Sequence, residues 1–366
     1  MSAVPSPSKI HERFFTSAEV MRRHFKDRAR QSGFKAKSPA AARAWVKHAK
    51  SILGGLLGME HFYTCAPKPK KLGAVRVDGL IREEWLMQTE PSVWMPYYLF
   101  VPAKPAGKKL PLVLCPHGHG GGGNAATAGR FEIPEYAGSI AKYNYAYGLE
   151  LAKAGFITAC PEARGFGVRR EWPQQNDRAD PHKLWAESCH NLNVAGLPLG
   201  LTVQGMWQWD LQRLLDVLTK DPRIDARKIG CAGLSGGGLQ TLNLAALEPR
   251  LKAAVVSGFF FGMQESLQEN HFHCDCNMLP NWWTHFDLGD IGALIAPLPL
   301  AIETGSQDKL NGKRGLRNVY EQTRITRAAY KALGAEENFT HFVFDGPHRW
   351  DGQQSIPWLK ARLGRS

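Results

Sequence analysis

No run of about 18 apolar residues occurs anywhere in the 366-residue chain, so no membrane-spanning helix is expected. The first ten residues are polar and proline-bearing, without the apolar stretch of a secretory signal. Cysteine is sparse: Cys65, Cys115, Cys160, Cys189, Cys231, Cys274 and Cys276. An odd number of thiols, three of them in or beside apolar runs, argues against a disulfide framework and for a reducing, cytoplasmic setting. No internal repeat is present. Acidic residues are scarce at one end only. Residues 1–75 hold 15 Lys/Arg against 4 Asp/Glu, and the remainder holds 31 against 29, so the net charge of +13 belongs almost wholly to the N-terminal segment. A hydrophobic content of 43% is ordinary for a globular chain. The length suits one large domain with extensions.

The basic segment is expected to form an N-terminal helical extension over residues 1–72, with helices near 16–31 and 38–57. Ser38-Pro39-Ala40 supplies a cap and a proline at the first turn of the second helix. Ala42, Trp45, Val46, Ala49, Ile52 and Leu53 recur at helical spacing. A cluster such as Arg22-Arg23-His24-Phe25-Lys26 is also what a nucleic acid or an anionic surface would attract. The amphipathic spacing favours packing on the rest of the chain or oligomerisation, so neither a nucleic-acid nor a membrane partner is expected. Ala66-Pro67-Lys68-Pro69-Lys70-Lys71 reads as a linker.

From residue 73 onward the pattern changes. An antiparallel lead-in is expected over 73–102. Buried strands follow near 111–115, 156–160, 228–232, 252–257, 298–304 and 341–345, joined by helices near 137–154, 202–220 and 318–334. Alternation of this kind specifies an α/β fold with a doubly wound, mostly parallel sheet, whose site lies at the carboxyl ends of the strands.

The most informative motif is Gly233-Leu234-Ser235-Gly236-Gly237, placed between an apolar strand and a helix-like run. A serine on such a turn needs small neighbours because the backbone bends sharply there. The turn lifts the hydroxyl out of the sheet and aims the Gly236 N–H at an oxyanion beside it. Upstream, a buried strand runs into Pro116-His117-Gly118-His119-Gly120-Gly121-Gly122-Gly123, where His119 or Gly120 is a candidate second donor. This loop lacks the Lys-Ser/Thr ending of a phosphate-binding loop. Downstream, His348 follows the last strand, where a general base is expected. His341, at the start of that strand, reads as structural. The carboxylate that orients His348 is expected at Asp308, in the exit loop of the preceding strand. Glu303, inside that strand, is the competing candidate, and Asp287 and Asp290 are weaker ones.

Several stretches together carry a resemblance: Gln88-Thr89-Glu90-Pro91-Ser92-Val93-Trp94-Met95-Pro96, His117-Gly118-His119-Gly120, Glu162-Ala163-Arg164-Gly165-Phe166-Gly167, the segment 227–238 around Ser235, 294–300 and Pro347-His348. The chain resembles the acetylxylan esterase-like branch of the α/β-hydrolases, abhydrolase family 7, over most of its length after about residue 75. The resemblance implies a serine carboxylesterase that needs no cofactor and removes small acyl groups, acetyl above all, from carbohydrate or similar alcohols. Larger acids of glucuronoyl or feruloyl type are the alternative. A non-catalytic hydrolase fold working through its basic arm is the rival of a different class. Insertions near 163–204 and 258–290 are expected to build the pocket. Trp282, Trp283 and Trp350, as stacking surfaces for a sugar ring, and Arg164 are the candidate substrate contacts. His271-Phe272-His273-Cys274-Asp275-Cys276 has zinc-ligand chemistry. Its C-x-C spacing matches no common zinc motif and the sequence holds no second cluster, so the expectation is a pocket wall with no metal.

Overall fold

The computed structural model describes residues 16–104, 107–120, 122–171, 187–269 and 273–364. Its nine strands are β1 (Lys70–Val77), β2 (Leu80–Glu90), β3 (Val93–Pro102), β4 (Leu110–Leu114), β5 (Ile157–Pro161), β6 (Ile224–Leu234), β7 (Ala253–Ser257), β8 (Leu300–Gly305) and β9 (Phe339–Phe344). They form one sheet in the order β1-β2-β3-β5-β4-β6-β7-β8-β9. The first three make an antiparallel meander joined antiparallel to β5, and every later pairing is parallel. Asp78 and Gly79, both left-handed, close the β1–β2 hairpin, the backbone that a two-residue turn between twisted strands requires.

Side chains alternate across a strand, and the two faces of this sheet feed two cores. Leu112, Leu114, Ala254, Val256, Leu300 and Ile302 belong to one. Val113, Cys115, Ala253, Val255 and Ala301 belong to the other. Helices cover both faces, so β5, β7 and β8 are buried at every residue, the polar Thr158, Ser257, Glu303 and Thr304 included. β1, at the edge, is mostly exposed.

The N-terminal segment is part of this body. The helix Pro39–Leu57 is capped by Ser38, whose hydroxyl accepts the Ala41 N–H, and stopped by left-handed Gly58. It buries Ala42, Ala49, Leu53 and Leu57 in the first core. Ahead of it, Arg30 makes a two-pronged ion pair with buried Asp290 at 2.7 and 2.9 Å. The helix Ala18–Arg28 buries no residue and rests on the body through Phe25 against Trp283. The boundary expected between residues 72 and 73 falls inside β1. Part of the expected linker is strand, because Lys71 pairs with Trp85 and its ammonium reaches Glu83 at 2.7 Å.

The expected helix over 137–154 is two helices, Pro134–Tyr143 and Tyr147–Lys153. Asn144 between them is left-handed. The break docks the segment that follows His348: the Trp350 N–H donates to the Tyr143 carbonyl, and the Asn144 amide donates to the Trp350 carbonyl. Among the described residues, no helix is long and apolar enough to cross a membrane.

Candidate active site

β6 ends at Leu234, and Ser235 takes φ 59°, ψ −123° before the helix Gly236–Leu247 begins. A non-glycine residue pays for such a backbone with strain, of order 1–3 kcal/mol. The turn is held by the Ser235 N–H donating to the Ser257 carbonyl at 2.9 Å. The glycines are steric necessities. A methyl group on Gly237 would stand 2.0 Å from the Pro116 carbonyl oxygen, and one on Gly118 would stand 2.5 Å from the Gly236 nitrogen. The loop after β4 therefore lies directly on the first turn of the serine's helix.

That loop is fixed from beneath. The Gln240 amide donates to the His117 carbonyl at 2.7 Å, and His117 Nε2 lies 2.8 Å from Glu162 Oε1. The Gly118 N–H is committed to the Tyr145 hydroxyl at 2.7 Å. His119 and Gly120, the two candidate donors, line the same cavity as Ser235 and Gly236.

His348 stands on the loop after β9, and its Nδ1 is 2.7 Å from Asp308 Oδ2. The other carboxylate oxygen of Asp308 accepts the Leu310 N–H, which fixes the side chain. Glu303 is engaged elsewhere. Its oxygens accept from the Ser257 and Ser355 hydroxyls and from the Asp351 and Gly352 N–H groups. Burial raises its pKa, against the pull of those donors. Asp287 and Asp290 form the capping box of the helix Leu288–Ile295, with Asp287 pushed up to about 6 by burial. His341 bonds the Thr304 hydroxyl at 3.0 Å; burial, with Arg327 adding to it, lowers its pKa to about 4.

The cavity measures about 590 Å³. Ser235, Gly236, His119, Gly120, Asp308 and His348 all line it. The four expected substrate contacts do not. Trp282 is buried in the first core. Trp283 faces the N-terminal helix through Phe25. Trp350 is 1% exposed and stacks on Tyr147 at 5.0 Å, where it anchors the His348 loop. Arg164 is held by Asp210 and Glu90 at 2.7 Å each. Burying large aromatics and pairing a buried guanidinium won over presenting them to a ligand, a choice that residue type alone does not reveal. The walls come instead from Tyr143, Tyr145 and Phe259, with Lys142, Lys309 and Asn277 as polar members. Tyr143 and Tyr145 flank the helix break, and nothing in the sequence signals that position.

The stretch expected to be a plain pocket wall also changes character. His271 and Phe272 lie outside the described residues. Cys274 and Cys276 meet Cys189 and His119, with all four ligand atoms within 4.8 Å of one another. The partners of the C-x-C pair thus exist, but more than 80 positions away in sequence.

A sequence model of the abhydrolase family matches residues 3–342, a span that includes the N-terminal helices. YtaP of Bacillus subtilis (strain 168), put forward as a hydrolase, is 27% identical over 247 residues, covering 66% of this chain and 74% of its own. Among solved structures, a Bacteroides fragilis NCTC 9343 protein put forward as an acetyl xylan esterase has a TM-score of 0.77 at 18% identity, covering 98% of this chain and 97% of that one. A glucuronoyl esterase from Solibacter usitatus has a TM-score of 0.61 at 14% identity, covering 92% and 96%. At these identities the structural likeness is one of fold.

Proposed function

The chain belongs to the abhydrolase family, and on that premise we propose that it is a serine esterase cleaving short acyl esters, acetyl esters of carbohydrates above all. The observation that carries the reading is the 2.7 Å contact between His348 Nδ1 and Asp308, in a cavity that Ser235 also lines from the apex of its turn.

In this reading Ser235 Oγ attacks the ester carbonyl carbon while His348 Nε2 takes its proton. Asp308 holds the Nδ1–H and so keeps the lone pair on Nε2. The carbonyl π electrons move onto oxygen, which the Gly236 N–H and the N–H of His119 or Gly120 receive. Collapse breaks the bond to the alcohol oxygen, which leaves with the proton held by His348. Water repeats the sequence on the acyl-serine and releases the acid. Each proton and electron pair is carried by the chain's own groups or by the water.

The cavity lies within the ~300–1,000 Å³ of small-molecule sites and exceeds what an acetyl group fills, which leaves room for a sugar ring beside Tyr143 and Phe259. Relatives named for acetyl xylan and glucuronoyl esters support a carbohydrate ester. Lys142 and Lys309 in the wall favour, as a second reading, esters of an acidic sugar whose released carboxylate they would meet. The seven unbridged cysteines support the expected reducing, cytoplasmic compartment. The deciding experiment compares 4-nitrophenyl acetate, butyrate and octanoate with acetylated xylose and a methyl glucuronate ester, for wild type and Ser235→Ala. Hydrolysis that falls steeply with acyl length and disappears in Ser235→Ala is expected. Unchanged turnover in Ser235→Ala would remove the nucleophile, and preference for the uronate ester would select the second reading.

A further inference from the structure

We propose that His119, Cys189, Cys274 and Cys276 bind one zinc ion, and that this ion staples the loop beside the catalytic serine to the two insertions that border the cavity. Three thiols and one imidazole converge here with their ligand atoms within 4.8 Å of one another. The histidine Nε2 lies 3.4 Å from the Cys276 sulfur. A tetrahedral site with metal–sulfur bonds of about 2.3 Å has edges of about 3.8 Å, so closing on an ion requires these atoms to move by about 1 Å or less. Three cysteines with one histidine are a donor set of structural zinc, and thiolate with imidazole disfavours hard cations such as magnesium and calcium.

The surroundings separate this cluster from an ordinary packing of thiols. Cys115, Cys160 and Cys231 are fully buried in or beside the sheet and bring no imidazole with them. In the proposed site Cys189 and Cys276 are buried, while His119 and Cys274 are half-buried and line the cavity, which gives an ion a route in. The scaffold is already clasped on the far side. The Asn193 amide donates to the Asp275 carbonyl at 2.7 Å, and His190 Nδ1 lies 2.5 Å from the Asp275 carboxylate. All three cysteines are free thiols.

Four protein ligands leave no open position, so the ion's role is structural rather than Lewis-acidic. Its effect reaches catalysis through His119. The imidazole of His119 lies over the start of the serine's helix, where a methyl group on Gly236 would stand 3.5 Å from its Nδ1. Fixing that ring fixes the backbone of the loop that carries the candidate oxyanion donors. Helix Cys189–Gly196 and the turn 274–277, both in the insertions, would be held in the same step.

The test is metal content, which does not depend on esterase turnover. Wild-type protein purified under reducing conditions without chelator is analysed for zinc, and stripped protein is titrated with cobalt(II). The expected results are one zinc per chain, a cobalt–thiolate charge-transfer band saturating at one equivalent, and a zinc-edge absorption spectrum fitted by three sulfurs and one nitrogen. Cys274→Ser, at the half-buried position least costly to the fold, should lower bound metal at least tenfold at equal concentration, while Cys65→Ser keeps it. Stripping should lower the melting temperature, and added zinc should restore it. A folded, reduced wild type that takes up neither zinc nor cobalt(II) overturns the proposal. So does a native disulfide among the three cysteines, or metal retained in full by Cys274→Ser.

Discussion

At the scale of single residues, the two acids near His348 separate by what they touch. Asp308 gives one oxygen to the imidazole and the other to a backbone N–H. Glu303 gives both of its oxygens to four donors that tie β7, the turn after His348 and the helix Ser355–Gly364 together. The consequences of replacing them therefore differ in kind. Asp308→Asn is expected to lower kcat by about 10³–10⁴ with little change in melting temperature, since the wrong imidazole tautomer is favoured. Glu303→Gln should keep kcat within a few-fold while losing about 1–3 kcal/mol of stability, because its new amide NH₂ meets donors where an acceptor stood. Steady-state kinetics beside urea denaturation of both variants distinguishes the two, and an inactive but fully stable Glu303→Gln would reverse the assignment. Asp308 was legible from its place after the penultimate strand. That Glu303 is occupied was not, since Ser355 and Gly352, which occupy it, lie about 50 positions away.

At the scale of elements, β9 shows how a strand neutralises a histidine. His341 is tucked beside Tyr320 and bonded to Thr304 of β8, with Arg327 across from it. The fold holds its pKa at about 4 against an ordinary 6.5, by burial first and by that cation second. Between those two values the unfolded chain binds a proton that the folded chain refuses, so stability is lost as pH falls from about 6.5 towards 4. His341→Gln can keep a hydrogen bond to Thr304 but has no proton to take up. It should flatten that part of the stability–pH curve, measured as urea midpoints from pH 4 to 7, and leave the pH dependence of esterase turnover unchanged. A curve that keeps the wild-type slope would place the acid sensitivity elsewhere. The elements themselves followed from sequence because apolar runs and helical spacing are local. The break at Asn144 did not follow, because its reason is a partner segment around Trp350.

At the scale of the whole molecule, the basic N-terminal segment is joined to the body by apolar packing and by ion pairing. Its second helix completes the core on one face of the sheet. An ion pair joins Arg30, 34% exposed, to an Asp290 side chain that is fully buried. Asp290 also accepts the Phe34 and Asp287 N–H groups, so it is a junction between extension and body. Arg30→Met should cost about 2–3 kcal/mol, below the figure for a fully buried pair because part of the guanidinium already faces water. Double substitution with Asp290→Asn should recover part of that loss, which a thermal-unfolding double-mutant cycle would measure. Additive losses would show that the extension is held by apolar contact alone.

The sequence by itself determined the fold class, the serine on its tight turn and the order of Ser235, Asp308 and His348 along the chain. Those features depend on local sterics and on strand periodicity, which neighbouring residues encode. Only the tertiary structure decided which aromatic residues face the cavity, how the N-terminal segment joins the core and which distant residues meet the C-x-C pair. Each of these depends on contacts between segments far apart in sequence. No local pattern shows that Trp350 will be spent on anchoring a loop, or that Cys189 and His119 will arrive beside Cys274 and Cys276.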